Sequence, residues 1–230
     1  MELDAFERTI GVSFRNRDLL EQSLVHRSYL NENPTYRLGH NERLEFLGDA
    51  VLELAVTEAL FRRFPEKPEG ELTSLRAALV NAKMLAAVAE DTGLNTHLLL
   101  SRGEAKDVGR ARQFILANAF EALIGAIYLD QGYGASAAFV ERLLMPRLET
   151  VLAAKLYEDP KSRFQEEAQE RVGITPTYEV LRESGPDHAK HFVVGIYLQH
   201  KLVAEGEGPS KQSAQEAAAR QALERRGWDT

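Results

Sequence analysis

Three acids in one short segment have the types and spacing that metal-ion chemistry needs. Residues 41–56 read NERLEFLGDAVLELAV. At about 100° per residue, Glu42, Glu45 and Asp49 fall within roughly 60° of one another around a helix. Their neighbours Leu44, Phe46, Leu47, Val51, Leu52, Leu54 and Val56 are residues that want a core. Carboxylates carried into apolar surroundings meet desolvation and mutual repulsion together, and both raise their pKa values. A hard divalent cation with oxygen ligands relieves both. On these three acids alone, a helix whose acidic face simply meets water fits equally well.

A second segment adds to the first. Residues 114–129, FILANAFEALIGAIYL, are apolar nearly all round and predict a helix in the middle of a domain. Asn118 and Glu121 interrupt it as i, i+3 neighbours on one face. A lone glutamate there is costly without a cation or a hydrogen-bonding partner. The economical expectation is that the two helices pack together and bring their polar faces onto one ion.

Helical periodicity runs through residues 1–150, the expected extent of an all-α first domain. Leu3, Phe6 and Ile10 mark an opening helix, and Leu20, Leu24 and Tyr29 mark another. A turn with Pro65, Pro68 and Gly70 follows the acidic helix. Single helices are predicted over 72–91 and 136–156, and no strand-like alternation occurs before residue 175. Residues 151–158 read as a linker.

A second domain is expected over 159–230. Asp159-Pro160 is an N-cap with proline at the first helical position. Phe164, Ala168 and Val172 give a core stripe, with Ser162, Gln165, Glu166 and Gln169 outside. TPTYEVLRE, HFVVGIYLQ and KLVAEGEG read as strands, and Ser210 caps a last helix over 211–224. The order α-β-β-β-α makes the second domain α+β.

Composition narrows the classes. There is no cysteine among the 230 residues, which excludes disulfides and thiolate metal sites. The charged start MELDAFER is not an apolar signal region, and Asn118 and Glu121 break the longest apolar run. A soluble, cytoplasmic protein without membrane contact is the expectation. No Ser–His–Asp or Cys–His nucleophile and no Glu-x-x-His pattern stands out. The net charge is −7; residues 160–230 carry 10 basic and 11 acidic residues, so nucleic-acid contact would need local patches. Arg102, Lys106, Arg110 and Arg112 form one candidate patch, though Glu104 and Asp107 leave it equally readable as a solvated loop.

HNERLEFLGDAVLEL resembles the signature helix of bacterial ribonuclease III, and LANAFEALIGAIYLD resembles that family's second catalytic helix. Residues 159–223 are similar to a double-stranded RNA-binding domain, so the resemblance covers essentially the whole chain. It implies an endoribonuclease that uses Mg²⁺, for which Mn²⁺ can substitute, to cut double-stranded RNA into staggered ends bearing 5′-phosphate and 3′-hydroxyl. It assigns Glu45, Asp49, Asn118 and Glu121 to the metal shell, with Asp49 and Glu121 catalytic. Asn118 stands where the family more often has aspartate. Glu42, and Glu69 in the PEG turn, match supporting acidic positions.

In the second domain the resemblance implies RNA contacts from Ser162, Gln165, Glu166 and Gln169. His188 of the GPDH turn would reach another minor groove, and Lys211 the phosphates between. The family usually has two adjacent basic residues there, whereas Gln212 and Ser213 follow Lys211, so modest binding is expected. A homodimer processing ribosomal, messenger or transfer RNA precursors is also implied, with Phe46 a candidate interface residue. Two other readings remain: a non-catalytic RNA-binding protein, prompted by Asn118, and a small-molecule metallo-phosphohydrolase, which the RNA-binding segment disfavours.

Overall fold

A computed structural model of the chain describes residues 3–157, 159–186 and 190–228. These fall into two compact units, residues 1–157 and 158–230.

The first unit is all-α. Its helices are α1 (Leu3–Ile10), α2 (Arg17–Ser23), α3 (Arg27–Glu32), α4 (Glu42–Arg63), α5 (Glu69–Val80), α6 (Ala82–Asp91), α7 (Arg110–Gln131), α8 (Tyr133–Leu143) and α9 (Arg147–Ala153). α7 is long and apolar enough to cross a membrane. Here it is the central helix instead, with Leu116, Phe120, Leu123, Ile124 and Ile127 buried among side chains from α2, α4, α6 and α8. At about 25 cal/mol per Å² of apolar surface removed from water, burial of this kind dominates the unit's stability.

α4 lies against α7 so closely that the backbones touch. A Cβ on Gly48 would sit 1.8 Å from the Glu121 carbonyl oxygen, and one on Gly125 would sit 2.2 Å from that of Leu44. Alanine would gain about 1 kcal/mol of helix propensity at each position. The crossing forbids it.

Three expected helices are pairs. The residues around Leu24 and Tyr29 split into α2 and α3, because Val25 leaves the helix to form a parallel bridge with Leu99. The helix expected over 72–91 divides at Asn81 with a 48° bend. Asn81's side chain donates to the Ala78 carbonyl (2.8 Å) and accepts from the Met84 amide (3.0 Å), closing one helix and opening the next. The helix expected over 136–156 is interrupted before Arg147, where Pro146 precedes α9. Val151 is buried in the first core, and Leu152 and Tyr157 pack against it, so the residues expected as linker up to 157 are part of this unit.

The second unit has α10 (Pro160–Val172), an antiparallel sheet β1 (Thr177–Ser184), β2 (His191–Leu198) and β3 (Lys201–Gly208) in that order, and α11 (Lys211–Arg226). Asp159 caps α10 as expected, its carboxylate accepting from the Lys161 amide at 3.0 Å. Phe164 and Ala168 pack with Ile196, Ala204, Ala218, Ala222 and Trp228. Val172 corrects the expected stripe: it is 43% exposed, because Gly173 in the left-handed conformation ends α10 just there.

Candidate active site and RNA-contacting face

The glycine crossing sets the site. α4 carries Glu45 one turn before Gly48 and Asp49 immediately after it; α7 carries Asn118 and Glu121 opposite. The Asn118 side chain donates a hydrogen bond to Glu45, tying the helices across the crossing. Glu45 is pushed above the usual carboxylate range by burial, then by Glu42 and Asp49, against the pull of Asn118. Glu121 is pushed further, up to about 7, first by burial and then by Asp49, Glu45 and Glu53. Asn118 and Glu121 are half-buried while Asp49 faces solvent, so the cluster opens outward from an apolar floor.

Glu53 was not among the residues singled out from sequence. It stands four residues after Asp49, on the same helical face, and that spacing was the available signal. Arg76 of α5 holds it, with Nε 2.9 Å from Glu53 Oε2 and Nη1 donating to Thr57 Oγ1 at 3.0 Å.

Glu42 is exposed, with Arg27 Nη1 3.6 Å from one oxygen and His40 Nδ1 3.7 Å from the other. Glu69 begins α5, exposed, and its carboxylate accepts from Thr73 Oγ1 at 3.0 Å. That bond ties it back along its own helix.

Among the described residues, no three acidic or histidine side chains already enclose an ion-sized space. The donor set nonetheless fits a hard divalent cation: three carboxylates and an amide oxygen, all oxygen, two of the acids held above their ordinary pKa by burial and by neighbouring acids.

Two apolar expectations around the acids are corrected. Phe46 is 83% and Leu54 56% exposed; with Phe61, 70% exposed, they form a stripe along the outer face of α4 rather than core. The core is served by Leu44, Val51, Leu52 and Val56.

In the second unit Ser162, Gln165, Glu166 and Gln169 lie along α10 on its outward side. Ser162 Oγ donates to Asp159 Oδ2 at 2.8 Å. Lys211 opens α11 on the surface, its ammonium 5.8 Å from the Phe192 ring centre. His188 lies outside the described residues. In the first unit, one member of the basic patch is partly withdrawn, since Arg112 donates to Asn95 Oδ1 (2.9 Å from Nε).

Comparison with known proteins places both units. Residues 16–148 match the family described as ribonuclease-III-like, and residues 160–226 match the double-stranded RNA binding motif. Ribonuclease 3 of Pelotomaculum thermopropionicum is 45% identical over 222 residues, covering 96% of this chain and 92% of that protein. Ribonuclease 3 of Chloroflexus aggregans is 47% identical over 224 residues, 96% of each. A solved nuclease domain of ribonuclease III from Campylobacter jejuni superposes with a TM-score of 0.57 at 39% identity, covering 63% of this chain and 97% of that one. This chain belongs to the ribonuclease III family.

Proposed function

We propose that this chain is an endoribonuclease that hydrolyses phosphodiester bonds of double-stranded RNA with the help of Mg²⁺, Mn²⁺ substituting. The observation that carries this reading is the crossing at Gly48 and Gly125, which gathers Glu45, Asp49, Asn118 and Glu121 beside a solvent-open edge. Glu45, Asp49 and Glu121 would hold the ion, with Asn118 contributing its amide oxygen or orienting Glu45 through the hydrogen bond it donates. A bound Mg²⁺ lowers the pKa of water and offsets charge on the departing oxygen. The apolar floor under Glu121 keeps bulk water from one side and fixes its carboxylate by packing. Arg27 and His40 hold Glu42 at the rim, where it limits how RNA phosphates approach. Cleavage would leave staggered ends with 5′-phosphate and 3′-hydroxyl, with ribosomal and other RNA precursors as cytoplasmic substrates.

The exposed stripe Phe46, Leu54 and Phe61 supports a homodimer, because large apolar residues in a row along one helix mark an interface. A two-fold axis then matches the near-symmetry of the two RNA strands. The nuclease domain from Campylobacter jejuni has a structurally flexible region involved in dimer formation, which is in keeping with this reading.

Labelled duplex RNA incubated with the protein, with and without Mg²⁺, tests the reading when binding and cleavage are followed together. Metal-dependent cutting is expected. Binding without cutting at any Mg²⁺ concentration would leave a non-catalytic RNA-binding protein, and neither would remove the reading altogether.

A further inference from the structure

The last helix of the second unit opens on a single cation, since the uncharged Gln212 and Ser213 follow Lys211. A second cation reaches the same place from the other helix. Lys161, in the first turn of α10, donates from Nζ to Gln215 Oε1 of α11 at 2.7 Å. Gln215 is one turn beyond Lys211 on the same helical face. The ammonium of Lys161 also stands 5.2 Å from the Tyr178 ring centre. Tyr178 packs into the small cluster of Phe192, Val194 and Ala214, and Phe192 is the ring beneath Lys211. Two lysines from two helices thus rest on one apolar platform.

Their partners distinguish them from three of the unit's other cations. Arg171 is bound to Glu167, Lys190 lies 2.5 Å from Glu183, and Arg182 lies 3.9 Å from Glu207. Lys161 and Lys211 form no close ion pair among the described residues; an amide and two aromatic faces hold them, and only the more distant Glu183 acts on the charge of Lys211. Lys201 is at the opposite end of the hairpin from Phe192, and Arg220 is on the opposite face of α11. An ammonium has three donors. With one given to Gln215, Lys161 keeps others for an external anion. Its position is also right for the duplex: Gln165, on the exposed face of α10, is one turn along from Lys161.

We infer that Lys161 is a phosphate-binding residue of the RNA-contacting face, supplying with Lys211 the paired positive charge that α11 alone lacks. This inference rests on the proposed binding of double-stranded RNA. Lys211 marks the phosphates that run between successive minor-groove contacts, and Lys161 takes a phosphate of the same backbone from the α10 side.

The test is the salt dependence of duplex-RNA binding by the full chain in EDTA, where no cleavage intervenes. Each phosphate contact adds about one to the slope of log affinity against log salt. Lys161→Met keeps an apolar stem over Tyr178 and removes the charge. It should bind roughly five- to ten-fold more weakly at ~100 mM salt, with a slope smaller by about one. Lys161→Arg should restore the slope. An unchanged slope in Lys161→Met would overturn the inference, including the case where affinity falls together with the melting temperature, which marks a residue that only joins α10 to α11. If the parental chain itself fails to bind duplex RNA, the proposed function falls first and this inference with it.

Discussion

Among the described carboxylates, Glu121 carries the least comfortable charge. Its carboxyl is raised to about 7 by burial and by three neighbouring acids. A folded-state pKa above the unfolded one means that the stability linked to its proton is complete at low pH and lost as pH rises through about 7. In EDTA, Glu121→Gln should therefore melt near the parental temperature at about pH 5 and above it at about pH 8, and added Mg²⁺ should narrow the difference. Melting curves that stay parallel across that range would show Glu121 to be ordinary. The same variant should bind duplex RNA and cut it at least ~100-fold more slowly, having lost a full ligand charge with little change of shape. Asn118 is the opposite case, an oxygen donor without charge. Asn118→Asp should lower the Mg²⁺ concentration for half-maximal cleavage by about ten-fold, equivalent to ~1.4 kcal/mol. Superimposable metal titrations would take Asn118 out of the metal shell. The spacing of Glu42, Glu45 and Asp49 and the isolation of Asn118 and Glu121 in an apolar helix were legible from sequence alone. Glu53 was not singled out, because its influence depends on α7 packing against the same face.

At the scale of elements, the α4–α7 crossing depends on two missing side chains. Gly48→Ala should cost about 3 kcal/mol or more, since its Cβ would lie 1.8 Å from backbone that cannot rotate away. The variant should melt lower and lose cleavage even where it remains folded; a stable, active protein would show that the helices can part without moving the acids. Helix identity was legible wherever apolar periodicity was long. The breaks at Val25 and Asn81 were not, since they rest on a tertiary bridge and a local cap that periodicity does not register. The one before Arg147 was missed because periodicity passes over the proline at 146. Leu54, and Phe46 where it was read as core, misled for a related reason. An apolar residue that faces outward has the same composition signal as one that faces a core.

At the scale of the whole molecule, the two units have separate cores, with α9 and Tyr157 belonging to the first. A chain ending at Tyr157 should thus fold as a helical protein by circular dichroism. It should bind duplex RNA at least about ten-fold more weakly, and still cut it slowly at low salt with ample Mg²⁺. Loss of cutting under every condition, fold intact, would mean that the second unit does more than add affinity. Phe46→Asp should leave the fold intact and halve the mass seen in sedimentation, with cleavage falling alongside; an unaltered mass would place the interface elsewhere. The order of the two units was legible because each has its own periodicity. Net charge was a poor guide to an RNA partner, because the usable cations are few and their placement matters more than their sum.

The contact between Gly48 and the Glu121 carbonyl has a consequence for how such a chain can change. Carboxylates can be exchanged, shortened or turned into amides one at a time. The gap between the helices has no such gradation, because hydrogen is the smallest possible side chain and the next step is a whole methyl group. The dimension of the site is consequently quantised. A lineage can adjust which ions and pH values the acids tolerate, but it inherits their separation as a single unit or loses it.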